Sequence, residues 1–171
     1  MTNKKILLLV IFILTLLLPH VTVYGEKGRN DTERKVAAVL DDFHKAASEA
    51  DEPRYLGHMA EKGVFLGTDA TERWTREEFR KYVHPYFSRG RGWTYIPRER
   101  NIMFSKDGNV AWFHERLHNE KYGEVRGTGV LQKINGVWKI FHYNLVFTIP
   151  NPVAGKVVDL IQENQKSKKE R

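Results

Sequence analysis

The chain has 171 residues, 41% hydrophobic and 12% aromatic, which suffices for one core and one domain. Its formal net charge of +7 and pI near 9.6 favour anionic surroundings in general and select no particular partner. The absence of cysteine excludes disulfides, thiol nucleophiles, thiolate metal sites and lipidation at a cysteine.

In chain order, Lys4 and Lys5 come first, then an apolar run from Ile6 to Leu18 and a polar break at Pro19 and His20. This is the layout of a secretory signal, with an apolar stretch short for a membrane span. Val23 and Gly25 supply the small residues of a cleavage site. The expectation is a signal peptide over 1–25 and export to a periplasm or the medium; the alternative is an uncleaved membrane anchor. Residues 26–31 are polar and are expected as a flexible start.

Helical spacing of Val36, Val39, Leu40, Phe43 and Ala47 predicts a helix, capped by Asp31 or Thr32, with His44 beside its apolar stripe. "EPRYLGHMAE" predicts a second, short helix with Pro53 in its first turn. "GVFLGTD" predicts a short strand. A loop follows, then a helix with Thr75 and Glu78 spaced as a capping box and Phe79, Tyr82, Val83, Tyr86 and Phe87 on one side. Pro85 predicts a kink in it.

After Gly92 the period becomes two. Four strands are predicted, broken at Asp107-Gly108, at Lys121 to Gly123 and at Asn135-Gly136, where tight hairpins need glycine. Helices first and an antiparallel meander after them make the class α+β. A short helix over 153–162 and a charged tail are expected within 152–171.

On one strand Ala111, Phe113, Glu115 and Leu117 share a face, and Trp112, His114 and Arg116 share the other. On the last strand Trp138, Ile140, His142, Asn144 and Val146 alternate with Phe141, Tyr143, Leu145 and Phe147. Large apolar groups on both faces suggest that both are covered, one by helices and one by a second copy of the chain, which predicts a homodimer through the sheet. Gly127 and Gly129 point to one side in mid-strand. They are explained by sheet curvature or by the close approach of a helix or ligand.

The runs "FLGTDATERWTREEF", "GRGWTY", "AWFHERL", "YGEVRGTGVLQKINGVWKI" and "YNLVFTIPN" resemble SnoaL-like domains of the nuclear transport factor 2-like superfamily, over 32–151. The resemblance implies a cone-shaped α+β fold, with N-terminal helices packed inside a strongly curved antiparallel sheet and a pocket at the open end. It also implies frequent dimerisation through the sheet. It carries no single function: members include isomerases, cyclases, dehydratases and non-catalytic association domains. Where such domains commonly have an acidic residue after "AWF", this chain has His114.

Two functional readings follow. One is a non-catalytic domain whose pocket holds a small apolar or weakly acidic ligand. The other is a cofactor-independent isomerase, cyclase or dehydratase with Glu115 or His114 as general base. Only one of these adjacent strand residues can face the pocket, and hairpin register decides which; a salt bridge from Glu115 to Arg126 is the structural alternative. Trp74, Trp112, Arg126, Tyr143 and Asp69 are the candidate pocket residues. Asp69 also suits a capping role.

No metal site or cofactor is expected. His114 and His118, four apart on a strand, stand about 13 Å apart. No nucleic-acid partner is expected either, because the arginines of "SRGRGWTYIPRER" read as solvated. No membrane span is expected once the signal is removed.

Overall fold

The computed structural model describes the backbone of residues 20–169 and the side chains of residues 30–169. The apolar run of the expected signal peptide lies outside the described residues. No described helix is long and apolar enough to cross a membrane.

Helix α1 (His20–Ser48) presents Val36, Leu40, Phe43 and Ala47 as its buried stripe. It begins earlier than the expected cap, so residues 26–31 lie within it. Asp31 is not a cap but the i,i+4 partner of Lys35, at 2.7 Å. Helix α2 (Glu52–Gly57) has Pro53 in its first turn, and the Asp51 carboxylate accepts from the Arg54 N–H. Strand β1 (Met59–Leu66) starts four residues before the predicted strand. A short strand β2 (Arg73–Thr75), read as loop in the sequence, pairs back on it.

Helix α3 (Arg76–Phe87) opens on the predicted capping box. Thr75 and Glu78 each hold the other's backbone N–H. Phe79, Val83 and Phe87 are its buried face. The meander follows as β3 (Ile96–Phe104), β4 (Val110–Asn119), β5 (Gly123–Ile134) and β6 (Val137–Phe147). A 3-10 turn (Asn151–Val153) leads into α4 (Ala154–Lys169), which is longer than expected and has no buried residue.

The sheet order is β2-β1-β6-β5-β4-β3. The meander is antiparallel, and β1 joins β6 in parallel. The Asn135-Gly136 turn has both residues at positive φ, +49° and +84°, as a two-residue hairpin requires. Its register begins with Lys133 opposite Trp138, as a two-residue loop sets it. A bulge at Phe141 then shifts it, so that Val130 meets His142 and Gly129 meets Tyr143. The bulge switches parity along β6. Trp138 and Ile140 point inward before it, and Tyr143 and Leu145 point inward after it. This corrects the expected division of β6 into two fixed faces.

β4 alternates strictly. Ala111, Phe113, Glu115 and Leu117 are buried, while Trp112, His114 and Arg116 are exposed. The helices therefore cover the concave face, which carries Glu115.

Candidate functional site

The concave side of the cone holds a cavity of about 260 Å³. Ring stacking explains its shape. Phe65 from β1 lies between Phe79 of α3, at 4.1 Å, and Tyr143 of β6, at 5.3 Å, with all three rings nearly parallel. Phe43 of α1 stacks on Tyr55 of α2 at 4.3 Å, and Trp74 of β2 on Tyr82 of α3 at 4.5 Å. The loop before β3 brings Trp93 against Phe87, at 4.7 Å. Tyr95, Tyr122, Thr68 and Glu72 complete the lining, and His44 and Leu145 lie deeper.

The floor is a buried polar cluster. Glu115 is 1% exposed and His44 7% exposed. His44 Nε2 lies 2.8 Å from Glu115 Oε1, and the Tyr143 hydroxyl donates to that oxygen at 2.8 Å. Arg100 stands directly across the β3–β4 ladder from Glu115, and its Nε donates to Oε2 at 2.7 Å. Arg100 Nη1 reaches α1, donating to Asp41 at 2.7 Å and to the Ala37 carbonyl at 3.2 Å. One buried carboxylate thus ties α1, β3, β4 and β6 together.

Burial alone would raise the Glu115 pKa. The hydrogen bond from His44 and the Arg100 guanidinium outweigh burial and hold the carboxyl below its ordinary range. Burial, reinforced by the Glu115 charge, pushes the Tyr143 phenol well above its ordinary value, so it stays a donor.

An ionised carboxylate only accepts, so His44 Nε2 must carry the proton it donates to Glu115. In the neutral ring that makes Nδ1 the acceptor and the base. Nδ1 has no hydrogen-bond partner among the described residues. It is not sealed either, since Arg100 Nη2 is the single buried, unpartnered side-chain nitrogen or oxygen among them. Glu115 itself has every donor it needs and is poorly placed to take a proton. The arrangement is an oriented imidazole at the floor of an aromatic cavity.

The sequence candidates divide. Glu115, Tyr143 and Trp74 belong to the concave side. His114, Trp112 and Arg126 lie on the convex face, where a second pocket of about 480 Å³ is lined by His114, Arg116, Arg126, Glu99 and Thr128 and is also bordered by Glu115. Arg126 stands opposite Arg116, not Glu115, so the expected salt bridge to Glu115 does not form; Arg100 takes that place. The reason is parity: Arg126 is one residue from Gly127, the inward neighbour of Glu115. Asp69 does not line the cavity. Its carboxylate accepts the Thr71 N–H and hydroxyl at 2.9 and 2.6 Å, closing a local turn, while Thr75 caps the helix that follows.

His44, Arg100, Tyr82, Tyr95 and Tyr122 are the site residues that the sequence did not single out. His44 had a signal, standing four residues from Leu40 on the buried stripe. No group of three or more His, Asp or Glu able to hold a metal occurs among the described residues.

Residues 36–150 match the family model described as the SnoaL-like domain. The chain belongs to this family. No curated protein sequence matches it. The SnoaL-like domain is similar in fold to a nuclear transport factor 2-like protein of unknown function from Pseudomonas putida KT2440. The two share 12% identity at a TM-score of 0.60, over 71% of this chain and 90% of that one. It is also similar to a nuclear transport factor 2-like protein with a cystatin-like fold from Novosphingobium aromaticivorans, at 9% identity and TM-score 0.60, over 81% and 97%. A protein of unknown function with a cystatin-like fold from Nostoc punctiforme gives 17% identity and TM-score 0.57, over 71% and 94%. These likenesses establish the nuclear transport factor 2-like α+β fold and carry no activity.

Proposed function

We propose that this SnoaL-like domain binds a small, largely apolar molecule in its aromatic cavity and anchors it through His44 Nδ1. The observation that carries this reading is the His44–Glu115 pair at the cavity floor. Glu115 engages Nε2, which leaves Nδ1 as the nitrogen without a partner among the described residues, in a ring that lines the cavity beside stacked rings that offer shape and dispersion. A weakly acidic hydroxyl on the ligand satisfies that lone pair. The volume of about 260 Å³ limits the ligand to roughly one ring with short substituents.

The same geometry supports a catalytic second reading, with His44 rather than Glu115 or His114 as general base. An imidazole backed by a carboxylate can remove a proton from a bound substrate. Mass spectrometry of small molecules that co-purify with the wild type and with H44F tests both readings. A molecule retained by the wild type and lost from a folded H44F supports binding. Its chemical conversion by the wild type alone supports catalysis. A ligand set identical in the two proteins sinks both.

Export and dimerisation complete the reading. Cleavage after Gly25 removes no part of the core among the described residues, since Val36 is their first buried hydrophobic. Sequencing the N-terminus of protein recovered from outside the cytoplasm tests it; an intact Met1 overturns it. The proposed second copy of the chain would pack on the convex face.

A further inference from the structure

We infer that the cavity selects an organic cation, an ammonium group on an aryl or alkyl body. This rests on the proposed binding function and deepens it.

The charge balance of the lining points this way. The chain as a whole carries +7, yet none of the sixteen lining residues is Lys or Arg, and one, Glu72, is a carboxylate. Glu72 Oε2 accepts the Asp69 N–H at 3.1 Å, which fixes the side chain, and Oε1 has no partner among the described residues. Ten of the sixteen lining residues are aromatic, and their ring faces carry the negative end of the quadrupole. His44 adds an acceptor at the floor. Glu115 below it is already neutralised by Arg100. The mouth therefore offers a positive ligand group a carboxylate oxygen and several π faces, while no lining lysine or arginine offers an anion a charge.

The chain itself uses this chemistry at the rim. Lys121 Nζ sits 4.8 Å from the ring centre of Tyr122, a mouth residue. The negative field also reaches the neighbouring phenols. Burial foremost, then other phenols and Glu72, push Tyr95 up to about 12; burial and then Glu72 raise Tyr82. Both stay neutral donors at working pH, able to turn their oxygens toward a cation.

The test compares three soluble probes with one body and different charge: 2-phenylethylammonium, 2-phenylethanol and phenylacetate. Binding is read by quenching of Trp74 and Trp93 fluorescence in the wild type and in E72Q. Gln keeps an oxygen for the Asp69 N–H and loses the charge. The expected result is an ammonium that binds roughly tenfold tighter than the alcohol, with the carboxylate weakest. E72Q should abolish most of that preference by weakening the ammonium the most of the three probes. Added salt should shrink the preference in the wild type, a check that needs no variant. Equal binding of ammonium and alcohol, or tightest binding of phenylacetate, overturns the cation inference while the pocket stands. Failure of all three probes to bind overturns the inference and the binding function together.

Discussion

Gly127 has no side chain at the point where the Tyr143 hydroxyl meets the Glu115 carboxylate. A Cβ built there would lie 2.9 Å from Glu115 Oε1 and 3.0 Å from its Cγ, with the Tyr143 oxygen closer still. The glycine makes room for the buried carboxylate and its phenol donor on an otherwise apolar face. Of the alternatives raised by the paired glycines of β5, close approach thus holds at Gly127. The approaching groups are side chains of the same sheet.

G127A is therefore expected to destabilise the domain by about 1–3 kcal/mol, as over-packing of a rigid core does. Chemical denaturation measures it. G155A is the control: a Cβ at Gly155 meets nothing within 4 Å, so that variant should unfold at the same denaturant concentration or slightly higher. Equal stability of G127A and wild type would mean that the Glu115–Tyr143 contact relaxes freely.

Removal of the carboxylate is the harsher change. E115A leaves Arg100, already carrying one unpartnered buried nitrogen, without its main counter-charge. Stranding a buried charge costs about 3–5 kcal/mol. Y143F deletes one donor to a charged acceptor that keeps two others, so about 1–2 kcal/mol is expected. Urea titrations of the two variants should rank in that order, and the reverse ranking would count against Glu115 as the hub.

The same residue shapes the acid limb of stability. Its folded pKa lies below the 4.5 of an unperturbed glutamate, so the unfolded chain binds the proton more readily. The stabilisation is complete above about pH 4.5 and is lost as pH falls below that value toward the depressed folded pKa. The groups facing the carboxylate are His44, Arg100 and Tyr143, with Asp41 beyond Arg100. In a pH series of melting temperatures, E115Q should start lower at pH 7 and fall less steeply below pH 4.5. Parallel curves would show that Glu115 does not titrate differently on folding.

Particular residues show what was legible beforehand. The hairpin at Asn135-Gly136 and the alternation of β4 were readable because glycine at positive φ and a period of two are local properties. The bulge at Phe141 was not, because an aromatic residue fits either face and nothing nearby marks the extra residue. That one position turns Tyr143 toward Glu115. Placing Trp112 and Arg126 in the pocket beside Tyr143 mixed two faces for the same reason. His44 was visible on its helix, but its partner lies 71 positions away, and only tertiary packing brings them together. Arg100 was hidden in "RERNIMF", where a charged run reads as a solvated edge.

The convex face carries the dimer prediction. Met103, Trp112, Val130 and His142 form one row across four strands, and Trp112 is 42% exposed. A large apolar group in mid-row is a natural contact for a second copy. W112E should keep the melting temperature within a few degrees, because the residue faces outward. It should also convert a dimer into a monomer in light scattering behind size exclusion. A wild-type monomer at micromolar concentration would remove the dimer altogether.

The hinge between α1 and α2 gives a contrast in magnitude. Arg54 binds both Asp42 oxygens, His58 Nε2 lies 2.7 Å from Oδ2, and Arg54 Nη1 reaches Glu49 at 2.6 Å. The hydrogen bond from Arg54 foremost holds the Asp42 carboxyl far below its usual range, against some cost of burial. Yet Asp42 is more than a third exposed, so solvent screens most of that attraction. D42N is therefore expected to cost only about 1 kcal/mol, well short of E115A, although each carboxylate has three hydrogen-bond contacts. Like E115Q it should flatten the acid limb, here below pH 3.8, the unperturbed aspartate value. Binding of the phenyl probes should not change, because neither Asp42 nor Arg54 lines the cavity. A D42N loss as large as that of E115A would mean that the α1–α2 junction, and not the buried carboxylate, limits the stability of the cone.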